Sequence, residues 1–364
     1  MLRLSSLGRL LLVTGAAAML AAACGGSPST GSSTPPPVDV GQGSLTGAGA
    51  TFPGPFYTKA FADYSAKYPQ VSINYQAVGS GAGIAQFQAK TVDFGASDVP
   101  MGSADITKAG GADALTQIPT TLGVIAIAFN VSGANSLNLD GATLANIYLG
   151  HIKNWNDPAI AALNSGKTFP NKAITVVHRA DSSGTSYHFT DYLAKVSDEW
   201  KSKVGVAKAV SWPTGVGGQQ NAGVAQAVQS TDGAIGYVEL AYVVQNGMKQ
   251  AAIKNANGKF VQASVAGATA AAGTNSSVGP TNFSITNAAC DACYPIAGFS
   301  WVILSTSYSD SGKGKAVVYL FKWLVTSGQS DGSDLQYAPL PSAVQQLALT
   351  NLRLIKANGT AILG

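Results

Sequence analysis

Apolar runs and polar turns alternate along the chain from about residue 44 onward. Short apolar runs rich in β-branched residues predict strands, and longer stretches with apolar residues at helical spacing predict helices. The clearest predicted strands are 71–75, 92–96, 121–131, 174–178, 234–238 and 299–305. The clearest predicted helices are 53–68, 84–89, 144–148, 158–163, 187–196, 314–326 and 343–348. This alternation predicts an α/β fold, in which helices form layers on a sheet.

Two segments differ from the regular pattern. Residues 121–131 (TLGVIAIAFNV) are almost continuously apolar, which predicts a strand buried on both faces. Residues 262–293 are rich in Ala, Gly, Ser and Thr and have little periodicity, so we expect a long surface excursion there.

Within the predicted helix 53–68, the aromatic residues at helical spacing are expected to be core.

Three Gly/Ser/Thr turns each open a predicted helix. They are residues 47–52 (GAGATF), 79–83 (GSGAG) and 179–186 (RADSSGTS). Free backbone N–H groups at a helix N-terminus, together with the helix dipole, favour negative charge. One such turn is common in α/β proteins and is usually only a turn. Three of them, one containing an arginine, predict a cage for a small oxyanion.

The candidate ligand groups are hydroxyls and backbone N–H groups, which can replace the hydration of an anion. They belong to Thr51, Phe52, Ser80, Ser183, Gly184 and Thr185. Arg179 would add a charged fork that binds two oxygens at once. Asp181, two residues later, is well placed to orient the guanidinium group. Taken alone, the Arg179–Asp181 pair is more often a structural ion pair.

Asp98 is a carboxylate in a Gly/Ser segment beside these donors. A carboxylate repels an anion unless the ligand has a proton to donate. Phosphate keeps at least one proton near neutral pH, and sulfate keeps none. Asp98 therefore predicts selection of phosphate over sulfate, by leaving a sulfate oxygen against an unpaired negative charge. Alternatively, Asp98 is an N-cap residue.

Length and composition bound the function classes. A chain of 364 residues favours two domains, and 46% apolar residues suffice for their cores. Charged residues make up only 11%, and no Lys/Arg cluster indicates a nucleic-acid surface. The histidines His151, His178 and His188 are scattered, so we expect packing or surface roles for them, no metal site and no cofactor.

The N-terminus predicts export. Residues 1–24 have two arginines followed by an apolar run too short to span a bilayer, as in a secretory signal. The run ends at Cys24, which resembles the acylated cysteine of a bacterial lipoprotein signal, although Ala21 stands where leucine is preferred. Ordinary cleavage after residues 21–23 (AAA) is the alternative. Residues 25–43 predict a flexible linker, because they are rich in Gly, Ser, Thr and Pro.

Cys290 and Cys293 remain as a pair if Cys24 is acylated. In an exported protein a C-x-x-C pair most simply forms a local disulfide. Free thiols and a redox role are the alternatives, and the motif precedes a loop rather than the helix start typical of redox sites.

At these motifs the chain resembles a known family. Residues 44–53 (SLTGAGATFP), 75–80 (YQAVGS), 91–98 (TVDFGASD) and 179–186 resemble the phosphate-binding proteins of the bacterial high-affinity phosphate ABC importer. Further similar stretches are 139–144, 147–150, 233–239 and 334–341. The resemblance extends over about 44–348. Two departures are Gly81, where the family often has a second serine, and residues 262–293.

The resemblance implies a two-lobed periplasmic-binding-protein (type II) fold with a crossover-strand hinge and an interlobe ligand cleft. Lobe I would comprise 44–129 and 297–364, and lobe II 130–296, with the hinge near 126–130 and 296–300. The implied phosphate contacts are Thr51, Phe52, Ser80, Asp98, Arg179, Ser183, Gly184 and Thr185, with Asp181 paired to Arg179.

The implied function is a non-enzymatic, monomeric phosphate receptor outside the cytoplasm. Such a receptor is anchored by a lipid and delivers phosphate to the transmembrane permease subunits of an ABC transporter. A receptor or sensor for another tetrahedral oxyanion is the first alternative. An exported phosphatase is the second, and the absence of a G-x-S-x-G elbow, a Walker loop or an obvious metal-ligand cluster in the sequence disfavours it.

Overall fold

The computed structural model of the chain describes residues 38–364, and Asp39–Gly364 form one compact unit. The predicted signal sequence with Cys24, and residues 25–37 of the predicted linker, lie outside the described residues. Among the helices of the described part, none is both long and apolar enough to cross a bilayer.

The described residues form many short strands around one long strand. The strands are β1 (Gly43–Gly49), β2 (Val71–Ala77), β3 (Phe94–Ser97), β4 (Leu115–Asn130), β5 (Asn138–Leu139), β6 (Thr175–Arg179), β7 (Val216–Gly218), β8 (Ala234–Glu239), β9 (Lys249–Gln250), β10 (Ala252–Lys254), β11 (Phe260–Val261), β12 (Ala297–Ser305), β13 (Ser307–Tyr308), β14 (Lys356–Ala357) and β15 (Thr360–Ala361).

Helices follow most of the strands of the main sheet. They are α1 (Gly54–Lys67), α2 (Ser80–Gln88), α3 (Ser103–Lys108), α4 (Gly141–Tyr148), α5 (Pro158–Ala162), α6 (Gly184–Val196), α7 (Asp198–Lys203), α8 (Gln220–Ser230), α9 (Leu240–Gln245), α10 (Val265–Ala272), α11 (Ser311–Leu324) and α12 (Ser342–Leu352). Short 3₁₀ helices lie at Ala112–Ala114 and Ser327–Leu335.

The main sheet has the strand order β2-β1-β3-β12-β4-β8-β6-β7, and β9 also pairs with β4. Residues 115–124 of β4 pair with β12, and residues 125–130 of the same strand pair with β8. We call β2, β1, β3, β12 and residues 115–124 the first half-sheet, and residues 125–130, β8, β6 and β7 the second half-sheet. β4 therefore runs through both, and all but its last residue are buried, as predicted for a strand covered on both faces.

Parallel strands lie in both half-sheets. β1 pairs in parallel with β2 and β3, and β6 pairs in parallel with β7 and β8. The carboxyl ends of parallel strands meet at one edge of a sheet, where open α/β sheets bind ligands. Helices α1, α2, α6 and α8 begin at these edges. The topology thus brings the three predicted turns to the places where a ligand is expected.

The aromatic residues of α1 form core, as predicted. Phe56, Tyr57, Phe61 and Tyr64 are all at most 5% exposed. The ring of Phe61 contacts Phe94 and Phe321 edge to face, with centroids 5.9 and 6.4 Å apart. These contacts fix α1 against β3 and α11.

The region 262–293 is more ordered than expected. It contains α10, whose Ala268, Ala271 and Ala272 are buried against β4 and β12, so a surface excursion is wrong for this part. Alanines pack a helix closely onto a sheet but give no hydrophobic periodicity. Farther along, Ser284 Oγ donates to Asp191 Oδ2 over 2.6 Å, and Cys290 and Cys293 are joined by a disulfide.

Ordered contacts also begin earlier than residue 44. Val40 is buried, and Asp39 forms an ion pair with Lys315, with 2.6 Å between Oδ2 and Nζ. β1 begins at Gly43. The last part of the predicted linker therefore packs against the folded unit.

Candidate functional site

The predicted site residues meet between the two half-sheets. Thr51 follows β1, Ser80 follows β2 and Asp98 follows β3, whereas residues 183–185 follow β6. Ser80 Oγ accepts the backbone N–H of Gly184 at 3.1 Å and that of Asp98 at 3.2 Å. One serine hydroxyl thus joins groups from both sides.

The turn after β6 presents its backbone at the start of α6. Ser183 caps the helix, because its Oγ accepts the N–H of Ser186 at 3.2 Å. Gly184 lies so close to Asp98 that a Cβ at Gly184 would be 2.4 Å from the Asp98 Cβ. Only glycine therefore allows the N-terminus of α6 to approach this carboxylate. The N–H groups of Gly184 and Thr185 belong to the first helical turn, whose donors have no intrahelical acceptor.

Arg179 is buried, and its guanidinium group is held by Asp181. Arg179 Nε donates to Asp181 Oδ1 at 2.7 Å, and Nη2 donates to Oδ2. Asp181 Oδ1 also accepts the N–H of Gln220 at 3.0 Å. Burial alone would raise the pKa of Asp181, but the hydrogen bonds and charge of Arg179 outweigh burial and lower it. Asp181 therefore occupies the edge of the guanidinium group formed by Nε and Nη2. The remaining nitrogen, Nη1, donates to Thr185 Oγ1 at 3.3 Å.

Asp98 is buried within a set of hydroxyl donors. Ser300 Oγ donates to Asp98 Oδ1 at 2.7 Å, and Ser80 Oγ lies 3.4 Å from Oδ2. Burial raises the pKa of Asp98 to about 7, against the opposing effects of Ser300 and Arg179. Asp98 is not an N-cap: the next helix, α3, has Gly102 at that position. The carboxylate therefore does not cap α3, and its neighbours are the hydroxyls of Ser300 and Ser80.

Two histidines have packing roles, as expected. His188, on α6, is fully buried, and its Nε2 lies 2.9 Å from the Asp98 carbonyl oxygen. Burial lowers the pKa of His188, which favours the neutral ring. His178 stacks on Trp212 with ring centroids 4.8 Å apart. His188 thus holds the backbone of Asp98, and His178 lies outside the site.

Two tyrosines outside the half-sheets, one on α9 and one between the second 3₁₀ helix and α12, hold the turn after β1. Tyr242 OH donates to the Thr51 carbonyl oxygen at 2.8 Å, and Tyr337 OH donates to that of Phe52 at 2.6 Å. Tyr337 OH is also 3.0 Å from Glu239 Oε2, and burial raises the pKa of Glu239 well above its usual range. The carbonyl oxygens of Thr51 and Phe52 are therefore both occupied by tyrosine hydroxyls.

Asn221 is a site residue that the sequence analysis missed. It is fully buried in the first turn of α8, and its Nδ2 is 2.9 Å from Thr51 Oγ1 and 3.3 Å from Thr185 Oγ1. The signal was a fourth turn, residues 216–221 (VGGQQN), which also opens a helix. The strand before it, β7, has three residues, too few to stand out in a hydropathy pattern.

Gly81, the departure noted in the sequence, lies where the turns after β2 and β6 touch. Its N–H donates to the Ser182 carbonyl oxygen at 2.9 Å. A Cβ at Gly81 would be 2.4 Å from both Cβ and Oγ of Ser182. The side chain of Ser182 therefore leaves no room for a side chain at position 81.

Within residues 38–364, no group of three or more His, Cys, Asp or Glu side chains is arranged to hold a metal ion. The chemistry of the site is that of many hydrogen-bond donors, one arginine and one acceptor carboxylate. This arrangement suits a small anion that itself carries a proton.

Comparisons with known proteins agree with this chemistry. A family profile described as a PBP superfamily domain matches residues 34–321. The phosphate-binding protein PstS of Xylella fastidiosa (strain Temecula1) is 44% identical over 301 residues, which cover 82% of this chain and 81% of that protein. The PstS of Pasteurella multocida is 44% identical over 308 residues, covering 83% and 88%.

Solved structures show the same fold. A high-affinity periplasmic phosphate-binding protein bound with phosphate has a TM-score of 0.68 and 23% identity, covering 88% of this chain and 99% of that one. A phosphate-binding protein from Stenotrophomonas maltophilia has a TM-score of 0.65 and 21% identity, covering 85% and 93%. The fold is the two-lobed α/β fold of periplasmic binding proteins. By its sequence matches, the chain belongs to the PstS family of phosphate-binding proteins.

Proposed function

We propose that this protein is an extracytoplasmic receptor that captures inorganic phosphate between two lobes and delivers it to the permease subunits of an ABC transporter. The observation that carries the proposal is the meeting of Ser80, Asp98, Arg179 and Gly184 between the half-sheets. The names of the PstS relatives support the same ligand.

The proposed phosphate contacts combine charge, hydroxyls and backbone donors. They are Thr51, Phe52, Ser80, Asp98, Arg179, Ser183, Gly184 and Thr185, with Asp181 orienting Arg179. In this structure the Gly184 N–H donates to Ser80 Oγ, and phosphate would take this donor when it binds. Asp98 is the one carboxylate among these contacts and would receive the P–OH proton.

We propose that lobe I comprises 44–129 and 297–364, and lobe II 130–296. β4 passes from the first half-sheet to the second near residues 124–125, where the N–H of Ile125 donates to the Ile296 carbonyl oxygen at 2.8 Å. The hinge would comprise residues 124–130 of β4 and the chain near 296–300. A ligand with contacts in both lobes stabilises the closed form over the open one.

The proposal extends to the N-terminus. Cys24 would be the lipid-attachment site, and the segment after it would tether a monomeric receptor to the outer face of the cytoplasmic membrane or in the periplasm. The protein would require no cofactor and would bind no nucleic acid. It would be a receptor and not an enzyme.

Isothermal titration with phosphate and with sulfate tests the proposal. We expect tight phosphate binding and far weaker sulfate binding. Absence of phosphate binding would refute the receptor function, and equal affinities would refute the role of Asp98. Turnover of a chromogenic phosphate ester at ordinary enzyme rates would instead favour a phosphatase.

Gly81→Ser is expected to lower phosphate affinity roughly tenfold or more, since the new side chain overlaps Ser182 and overpacking costs about 1–3 kcal/mol. Adding Ser182→Gly should restore the affinity by removing the obstructing atoms. Ser182→Gly alone, the matched control, should bind nearly as the unmodified protein does. Titration of the three variants checks this, and a double variant as weak as Gly81→Ser would contradict the steric explanation.

A further inference from the structure

The side-chain amide of Asn221 has a defined orientation. Its Oδ1 accepts the backbone N–H of Glu239 at 3.3 Å. Because a backbone N–H only donates, the atom facing it must be the oxygen of the amide. Nδ2, with its two protons, therefore faces Thr51 and Thr185.

The threonine oxygens accept all the hydrogen bonds that they can accept. Thr51 Oγ1 is 2.9 Å from Asn221 Nδ2 and 3.4 Å from the Asn221 backbone N–H donor. Thr185 Oγ1 is 3.3 Å from Asn221 Nδ2 and 3.3 Å from Arg179 Nη1. A hydroxyl has two lone pairs and one proton, so each of these oxygens has only its proton left to use.

We propose that Asn221 is a positioning residue that directs the hydroxyl protons of Thr51 and Thr185 toward the bound anion. The inference rests on the proposed phosphate site and adds a residue to it. Thr51 comes after β1 of the first half-sheet, and Thr185 comes after β6 of the second. One amide can therefore orient both hydroxyls only when the two half-sheets lie together. With both hydroxyls fixed as donors, Asp98 remains the one carboxylate among the proposed contacts that can accept a ligand proton, and the site distinguishes a protonated oxyanion from a fully deprotonated one.

A double-mutant cycle with inorganic phosphate tests this role. We expect Asn221→Ala to weaken binding about tenfold, as loss of orientation at two hydroxyls implies. In a Thr51→Val, Thr185→Val background, the same change should alter affinity less than twofold, because no hydroxyl is left to orient. An equal loss in both backgrounds would overturn the inference. Asn135→Ala, at an exposed asparagine, is the matched control and should bind as the unmodified protein does.

Asn221→Asp provides a second test that preserves shape. An ionised carboxylate accepts the threonine protons and turns them away from the ligand, whereas a protonated one can still donate. The affinity of the variant relative to the unmodified protein should therefore be at least a hundredfold lower at pH 8 and should partly recover at pH 5. The charged and titratable groups around this site are common to both proteins: Arg179, Asp181, Asp98, Glu239, Tyr242 and Tyr337.

A relative affinity that is constant with pH would contradict the proton-directing role. Thermal unfolding without phosphate separates loss of stability from loss of binding. If the unmodified protein fails to bind phosphate, the receptor function itself is refuted. If it binds but the cycle is additive, only the role of Asn221 is refuted.

Discussion

Arg179→Ala is expected to lower phosphate affinity by roughly a hundredfold to ten-thousandfold. Two charge-assisted hydrogen bonds to an anion contribute about 1.5–3 kcal/mol each, and every 1.4 kcal/mol is a factor of ten in affinity. The fork is pre-oriented by Asp181 and buried, so water does not replace it readily. Because the lost interaction is with charge and not with a proton, affinity for sulfate should fall as well.

Isothermal titration of Arg179→Ala with both anions checks the expected loss. Arg179→Lys keeps the charge but not the two-pronged guanidinium group, so its affinity should lie between those of the unmodified protein and Arg179→Ala. Arg353→Ala removes an exposed arginine and should leave binding unchanged. A loss of less than tenfold for Arg179→Ala would contradict a direct role for this residue.

The same substitution should also destabilise the unliganded protein. Asp181 would keep the N–H of Gln220 but lose both hydrogen bonds to the guanidinium group. Removing one partner of a fully buried ion pair costs about 3–5 kcal/mol, and we expect a smaller loss here because the Asp181 side chain is 14% exposed. Affinity is therefore to be compared well below the unfolding temperature of the variant.

Local sequence patterns predicted much of the fold and of the site. The turns after β1, β2 and β6 are short, are built largely from Gly, Ser, Thr and Ala, and lie next to clear apolar runs, so neighbouring residues alone indicate them. Alternation of the runs predicted the α/β class. The continuous apolar run within β4 predicted a strand buried on both faces.

What the sequence did not reveal depends on distant contacts. Asn221 is 170 residues from Thr51, and Ser300 is 202 residues from Asp98. An asparagine after a three-residue strand, or a serine within a strand, has no local feature that indicates a ligand site. Likewise, the sequence did not predict helix α10, because buried alanines show no amphipathic period. These residues become meaningful only once the two half-sheets are together.

Asp98→Asn is expected to reduce the discrimination between phosphate and sulfate by about a hundredfold or more. Ser300 Oγ donates to Asp98 Oδ1, so in the variant the amide oxygen should keep this position and place the NH₂ group where Oδ2 lies. The NH₂ group can donate a hydrogen bond to a sulfate oxygen, whereas the carboxylate of the unmodified protein repels that oxygen. It cannot accept the P–OH proton, so phosphate loses a charge-assisted hydrogen bond of about 1.5–3 kcal/mol.

The pKa of Asp98 gives the same mechanism a pH dependence. Since burial raises this pKa to about 7, the group is mainly a carboxylate at pH 8 and mainly a neutral acid at pH 5.5. The neutral acid can donate to sulfate, so sulfate binding by the unmodified protein should strengthen as the pH falls through 7. In Asp98→Asn this step should be absent, because the amide does not titrate.

Titrations with both anions at pH 8 and 5.5 distinguish the outcomes. Asp113→Asn, at an exposed carboxylate, is the matched control and should keep both the discrimination and its pH dependence. Unchanged discrimination in Asp98→Asn would show that the site does not select by the ligand proton. Discrimination lost at both pH values, with the pH step gone, would identify Asp98 as the group that distinguishes the two anions.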